Sequence, residues 1–107
     1  MGTALAYKMD VYPHIVKTPG VRGGKARIDG TRICVKDIVY LHKWGKKAEE
    51  MLEYYSDRPL TLAEVHAALT YYYDSRDEIE AEIAADEGRE ERHERAKAEY
   101  LARHSAR

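Results

Sequence analysis

The sequence predicts a mainly helical fold with one short β-hairpin and a long C-terminal helix. Three observations predict it. Asp29-Gly30 stands between two β-friendly runs, residues 26–28 and 31–35. An Asp-Gly pair in that setting signals a two-residue type I′ turn, because both residues tolerate positive φ. Thr61-Leu62-Ala63-Glu64 has the spacing of a capping box, in which the threonine caps an amide and the glutamate reaches back. From there Leu62, Val65, Leu69, Tyr72, Ile79 and Ile83 recur at 3–4 spacing, interrupted only by Arg76. That stripe predicts one helix of at least about six turns, its first half buried and its second half seeking a partner.

The elements follow in order. Residues 1–11 have no periodicity and read as a loose arm that can end in a strand. Residues 12–17 hold Ile15 and Val16 and predict a short strand, with Pro13 at its start or on a sheet edge. Thr18-Pro19-Gly20 is turn chemistry. In the hairpin, Ile28, Ile33 and Val35 share one face while Arg27 and Arg32 take the other. Such a ribbon is marginal alone, so it must lie on helices or pair with a second copy. Residues 37–44 predict a two-turn helix in which Ile38 and Leu41 share a face that Trp44 can join, and Gly45 suits the left-handed position after it. Residues 48–55 predict a second helix with Met51, Leu52 and Tyr55 apolar and Glu49 and Glu50 near its positive end. Pro59 marks the connector to the capped third helix. Beyond Gly88 the stripe fails, and residues 89–107 predict a frayed or disordered tail unless something grips it. The expected organisation is an arm (1–11), a core (12–75) and a charged helical arm (76–107).

Composition narrows the function classes. A chain of 107 residues builds a core too small for a roomy catalytic cavity. Phe is absent and nine tyrosines replace it, so phenolic hydroxyls must find partners or water. One cysteine excludes an intrachain disulfide and a multi-cysteine zinc site. No apolar run approaches the ~20 residues that span a bilayer, and no signal-peptide core follows Met1, which points to a cytoplasmic, soluble protein. The net charge of −1 hides an asymmetry. Residues 1–47 hold ten Lys/Arg and three Asp/Glu, whereas residues 48–107 hold eight and sixteen. A basic front and an acidic back suit two different partners or head-to-tail contacts in an oligomer.

The candidate sites follow from that asymmetry. Two short helices, a turn and a capped helix fit a tri-helical, winged-helix-like helix-turn-helix unit. Thr61, Ala63, Glu64, His66, Ala67 and Thr70 are placed to enter a major groove, although that set lacks the Arg, Lys, Asn and Gln of strong base contacts. Glu64 repels phosphate unless its cap locks it. Arg22, Lys25, Arg27 and Arg32 on the ribbon can hold phosphates, or protect a ribbon edge that pairs with its twin. Gly23-Gly24-Lys25 lacks the spacing and the Ser/Thr of a phosphate-binding loop. The five histidines show no zinc spacing, no cofactor is implied, and no catalytic constellation stands out. Cys34 is expected on the outer ribbon face or in a dimer seam. Arg76, Ile79, Ile83, Arg89 and Arg92 on the C-terminal arm are candidate partner contacts, by a helix laid in a groove or by a coiled coil with a second copy.

The run GGKARIDGTRICV, together with His14-Ile15-Val16, Pro19-Gly20 and residues 62–69, resembles one family of small prokaryotic proteins, domain of unknown function 433. That family looks like antitoxins of the VapB type. Ala26 and Cys34 stand where it usually has prolines, and Lys47-Ala48 replaces a usual Ser-Pro helix start. The resemblance implies a helix-turn-helix DNA-binding homodimer that represses its own operon. It also implies a PIN-like ribonuclease toxin as partner, covered by the C-terminal arm, an arginine of which would pair with metal-holding carboxylates. The chain itself is then not an enzyme. The alternative is a dimeric interaction module without DNA binding.

Overall fold

The computed structural model describes residues 7–8, 12–55 and 58–105. Three short strands, β1 (Tyr7–Lys8), β2 (Ile15–Lys17) and β3 (Arg27–Ile28), precede four helices, α1 (Val35–Lys43), α2 (Ala48–Met51), α3 (Leu62–Asp74) and α4 (Arg76–Ser105). The sheet is antiparallel in the order β1-β2-β3, with Tyr7 opposite Lys17 and Ile15 opposite Ile28. β2 is thus the central strand, and Pro13 lies ahead of it, where a missing N–H costs the ladder nothing. The rest of the N-terminal arm lies outside the described residues.

The ribbon around Asp29-Gly30 is present but built differently from the sequence expectation. Thr31 N–H donates to the Ile28 carbonyl (3.1 Å), closing a turn in which Gly30 alone has positive φ (+82°). That is the type II pattern, with glycine third, not type I′. Buried Thr31 explains the choice: its hydroxyl donates to the Ile28 carbonyl (2.8 Å) and accepts from Ile33 N–H (3.0 Å). The expected strand over 31–35 shrinks to one bridge, Arg27 with Cys34, because Asp37 accepts from Cys34 N–H (2.9 Å) and starts α1 there. Cys34 is consequently buried as the N-terminal cap residue of α1, not outward on a ribbon. Ile28, Ile33 and Val35 are buried together, as their common face requires.

α1 carries Ile38, Val39 and Leu41 into the core and packs chiefly on α3. It ends in a Schellman motif: Gly45 N–H donates to His42 and Lys46 N–H to Leu41 (both 3.0 Å), with Gly45 at φ +89°. Gly45→Ala is expected to destabilise the domain by about 1 kcal/mol, the cost of a Cβ in left-handed backbone, measured by urea unfolding. α2 stops at Met51 rather than running to residue 55. Leaving the helix lets Tyr55 donate its hydroxyl to the Asp37 carbonyl of α1 (3.2 Å), and burial pushes that phenol's pKa up. The connector from Leu52 to Thr61 is longer than the 3–4-residue turn of a tight helix-turn-helix.

The predicted six-turn helix is two helices. Ser75 sits at φ −135°, ψ 45° and donates its N–H to Tyr72 (3.1 Å), so α3 ends at Asp74. Serine competes for backbone groups and suits helix ends. The end of α3 is also held from outside: Tyr12 donates to the Asp74 carboxylate (2.7 Å), and Arg76 lies over the rings of Tyr72 and Tyr73 (5.5 and 5.8 Å). The chain divides into two compact units, Met1–Arg76 and Asp77–Arg107. In the second, Ile79 and Ile83 are buried, and every described side chain from Arg89 to His104 is exposed. This tail is helical to Ser105, as its alanines, glutamates and arginines favour.

Candidate functional site

The best-organised polar cluster lies where α3 begins. Thr61 Oγ1 accepts from Glu64 N–H (3.1 Å) and Glu64 accepts from Thr61 N–H (3.0 Å), the reciprocal capping box. Glu64 does more than cap. Arg58 grips both of its carboxylate oxygens, Nη1 to Oε1 at 3.0 Å and Nη2 to Oε2 at 2.7 Å. The same guanidinium reaches the Asp29 carbonyl at the ribbon turn (3.4 Å). Asp29 N–H in turn donates to the carbonyl of His14 (2.7 Å), a residue held at φ +75°. The connector, the turn and the start of α3 are therefore tied through one arginine. Its hydrogen bonds, reinforced by the Thr61 N–H, hold the Glu64 carboxyl far below its usual range, to about 2, against the opposing effect of burial.

This pairing sets the charge of the exposed α3 face. Thr61, Ala63, His66 and Thr70 are exposed and Ala67 is half-buried. The one acid between Thr61 and Thr70 is Glu64, and it is buried and matched by Arg58. The face is left neutral, beside a turn that carries cations.

Those cations divide by role. Arg22, in left-handed backbone (φ +50°), donates to the Arg32 carbonyl (2.5 Å) and lies 3.6 Å from Asp37, so it braces the start of α1. Arg27 is half-buried and donates to the Thr31 carbonyl (2.9 Å) and to Thr18 Oγ1 (2.8 Å). Lys25 is half-buried and Arg32 exposed. Val21, Arg27, Asp29, Gly30, Thr31 and Arg32 line a shallow, open depression on the turn. Of the four ribbon cations, Arg32 is the exposed one.

The C-terminal candidates are spread along α4. Arg76 stacks on the two tyrosines, Arg89 is paired with Asp86, and Arg92 is exposed. Among the described residues, no three His, Cys, Asp or Glu side chains come together as metal ligands, and no helix is long and apolar enough to cross a membrane. Arg58 is the residue that sequence reasoning missed. Its signal was faint: an arginine just ahead of a capping box whose glutamate needs a counter-charge once buried.

Fold and site together define a small, mainly helical domain with an open polar surface built from a β-turn and a helix start. Residues 15–72 match the model of the DUF433 family, described as a protein of unknown function, and the chain belongs to that family. A solved structure similar to it is the crystal structure, at 2.00 Å resolution, of a DUF433 member from Anabaena variabilis ATCC 29413. The two share 39% identity over 69% of this chain and 71% of that one, with a TM-score of 0.61. No match is found among curated proteins.

Proposed function

We propose that the chain is an antitoxin-like DNA-binding protein that represses its own operon as a homodimer and neutralises a PIN-like ribonuclease with its C-terminal arm. α3 is the helix offered to DNA, within a tri-helical helix-turn-helix arrangement of α1, α2 and α3. One observation carries the reading: the single acid on the exposed start of α3 is sequestered by Arg58 and its cap, and the same arginine ties that start to the turn preceding the exposed cation Arg32. A helix start free of exposed acid suits close approach to phosphate, and the adjoining turn sets Arg27 and Arg32 against one exposed acid, Asp29. Arg32 and Lys25 contact phosphate, while Thr61, Ala63 and His66 face the groove. Arg22 and Arg27 support these contacts by fixing the turn. With few strong base-reading side chains, recognition leans on phosphate contacts and DNA shape more than on base edges.

The nuclease partner comes from the antitoxin resemblance. The exposed stretch of α4 that carries Arg92, Tyr100 and Leu101 supplies its contact surface. A dimeric interaction module without DNA binding is the second reading, favoured by the exposed rings of Tyr54 and Tyr73 and the long connector before α3.

A gel shift with DNA from the protein's own promoter separates the two. The first reading expects a specific band that fades as salt rises, and His66→Asp is expected to weaken it at least about tenfold by placing a charge against phosphate. A band that is absent at low salt ends the repressor reading and leaves the interaction module. Copurification with the product of a neighbouring nuclease gene tests the partner.

A further inference from the structure

The turn between α1 and α2 has a composition that the fold does not require. Its residues, Lys43, Trp44, Gly45, Lys46 and Lys47, are all exposed. Trp44, which the sequence allowed on the face of Ile38 and Leu41, is the only tryptophan in the chain and is 67% exposed, the most open large hydrophobic side chain among the described residues. A Schellman motif ordinarily places an apolar residue after its glycine, packed back on the helix. Here that position is Lys46, and the apolar residue is Trp44, ahead of the glycine and out in solvent. The turn is nonetheless rigid. Trp44, Gly45 and Lys46 each donate a backbone hydrogen bond into the last turn of α1, at 3.0 Å. The lysines complement the negative end of α1, but that end makes no demand for an indole. Glu50 accepts from Lys47 N–H (2.7 Å), which holds its carboxylate at the start of α2. The indole has the ring of Tyr40 at 6.5 Å.

From this the geometry points to a second site, distinct from α3: a contact for single-stranded nucleic acid in which Trp44 stacks on a base and Lys46 and Lys47 hold the flanking phosphates. A fixed aromatic between cations is the arrangement that binds single strands without sequence preference. An anionic membrane surface attracts the same residue types, but a single strand fits better because the segment is a tight turn without an amphipathic helix to lie in a bilayer interface. The site goes beyond the α3 reading and does not depend on it.

Trp44 is its own reporter. Titrating the full chain with an oligothymidylate is expected to quench its emission to saturation, with affinity falling as salt rises. By anisotropy of a labelled oligothymidylate, Trp44→Ala should bind at least about fivefold more weakly, the loss of one base stack, and Trp44→Phe should retain most of the affinity. Circular dichroism of each variant should match the parent, since the side chain is exposed. Unchanged emission, or Trp44→Ala binding as tightly as the parent, overturns the inference. So does an emission shift with phosphatidylserine vesicles but not with the oligonucleotide. The promoter band expected of α3 is unaffected by Trp44→Ala, so either claim can fail without the other.

Discussion

Ile28→Ala is expected to destabilise the Met1–Arg76 unit by about 2–5 kcal/mol, the range for truncating a fully buried large aliphatic residue. Ile28 is wholly buried and stands at the junction of three local structures. It faces Ile15 across the sheet, its N–H donates to Ile33 (2.8 Å), and its carbonyl accepts from both the backbone and the hydroxyl of Thr31. The strand that carries it touches α3. Truncation leaves a cavity that cannot close without moving the ribbon turn, so the loss belongs near the upper part of the range. Chemical denaturation measures it. Ile28→Val, which keeps the branch and most of the volume, should lose only about 0.5–1.5 kcal/mol.

Arg58→Ala is the second large effect, about 2 kcal/mol, because it leaves the buried carboxylate of Glu64 without its cation. The figure is held down because the Arg58 side chain is 38% exposed, which screens the pair. Linkage gives a pH signature. Glu64 titrates near 2 when folded, below its ordinary 4.5, so its contribution is fully present above about pH 5 and is lost as pH falls toward 2. In the parent, acid therefore lowers stability across that window by about 1–2 kcal/mol from this group. Glu64→Gln removes that part of the slope. A double-mutant cycle with Arg58→Ala should return a coupling of about 1 kcal/mol or more, and additive losses would mean the fork contributes nothing.

How much of this was legible in the sequence depended on range. The capping box of Thr61 and Glu64 and the left-handed Gly45 were legible because each is set by neighbours three or four residues away. Turn chemistry at Thr18-Pro19-Gly20 likewise appears as a turn, with Val21 N–H donating to Thr18 (3.0 Å). The Asp29-Gly30 turn was legible in place but not in kind. Its type was decided by the buried Thr31 hydroxyl, and the pairing of β3 with the strand of Ile15 is a long-range choice that no local pattern names. The helix break at Ser75 was hidden because Ile79 and Ile83 continue the 3–4 stripe of Leu62, Val65, Leu69 and Tyr72. Its supports, Tyr12 on Asp74 and Arg76 on two tyrosines, include a contact spanning sixty-two residues. The site had the same limit. Four ribbon cations looked equivalent in sequence, yet folding turns Arg22 and Arg27 inward onto carbonyls, while Arg32 is the exposed one. Arg58, in what looked like a plain connector, joins the turn to α3.

The central claim is that the neutral start of α3 and the cation beside it form one DNA-facing surface. Its most direct test is the salt dependence of affinity for a promoter duplex, compared between the parent and Arg32→Ala. The account predicts a log–log slope shallower by about 1 in the variant, the signature of one lost phosphate contact. An unchanged slope with unchanged affinity would place Arg32 outside any DNA contact and contradict it.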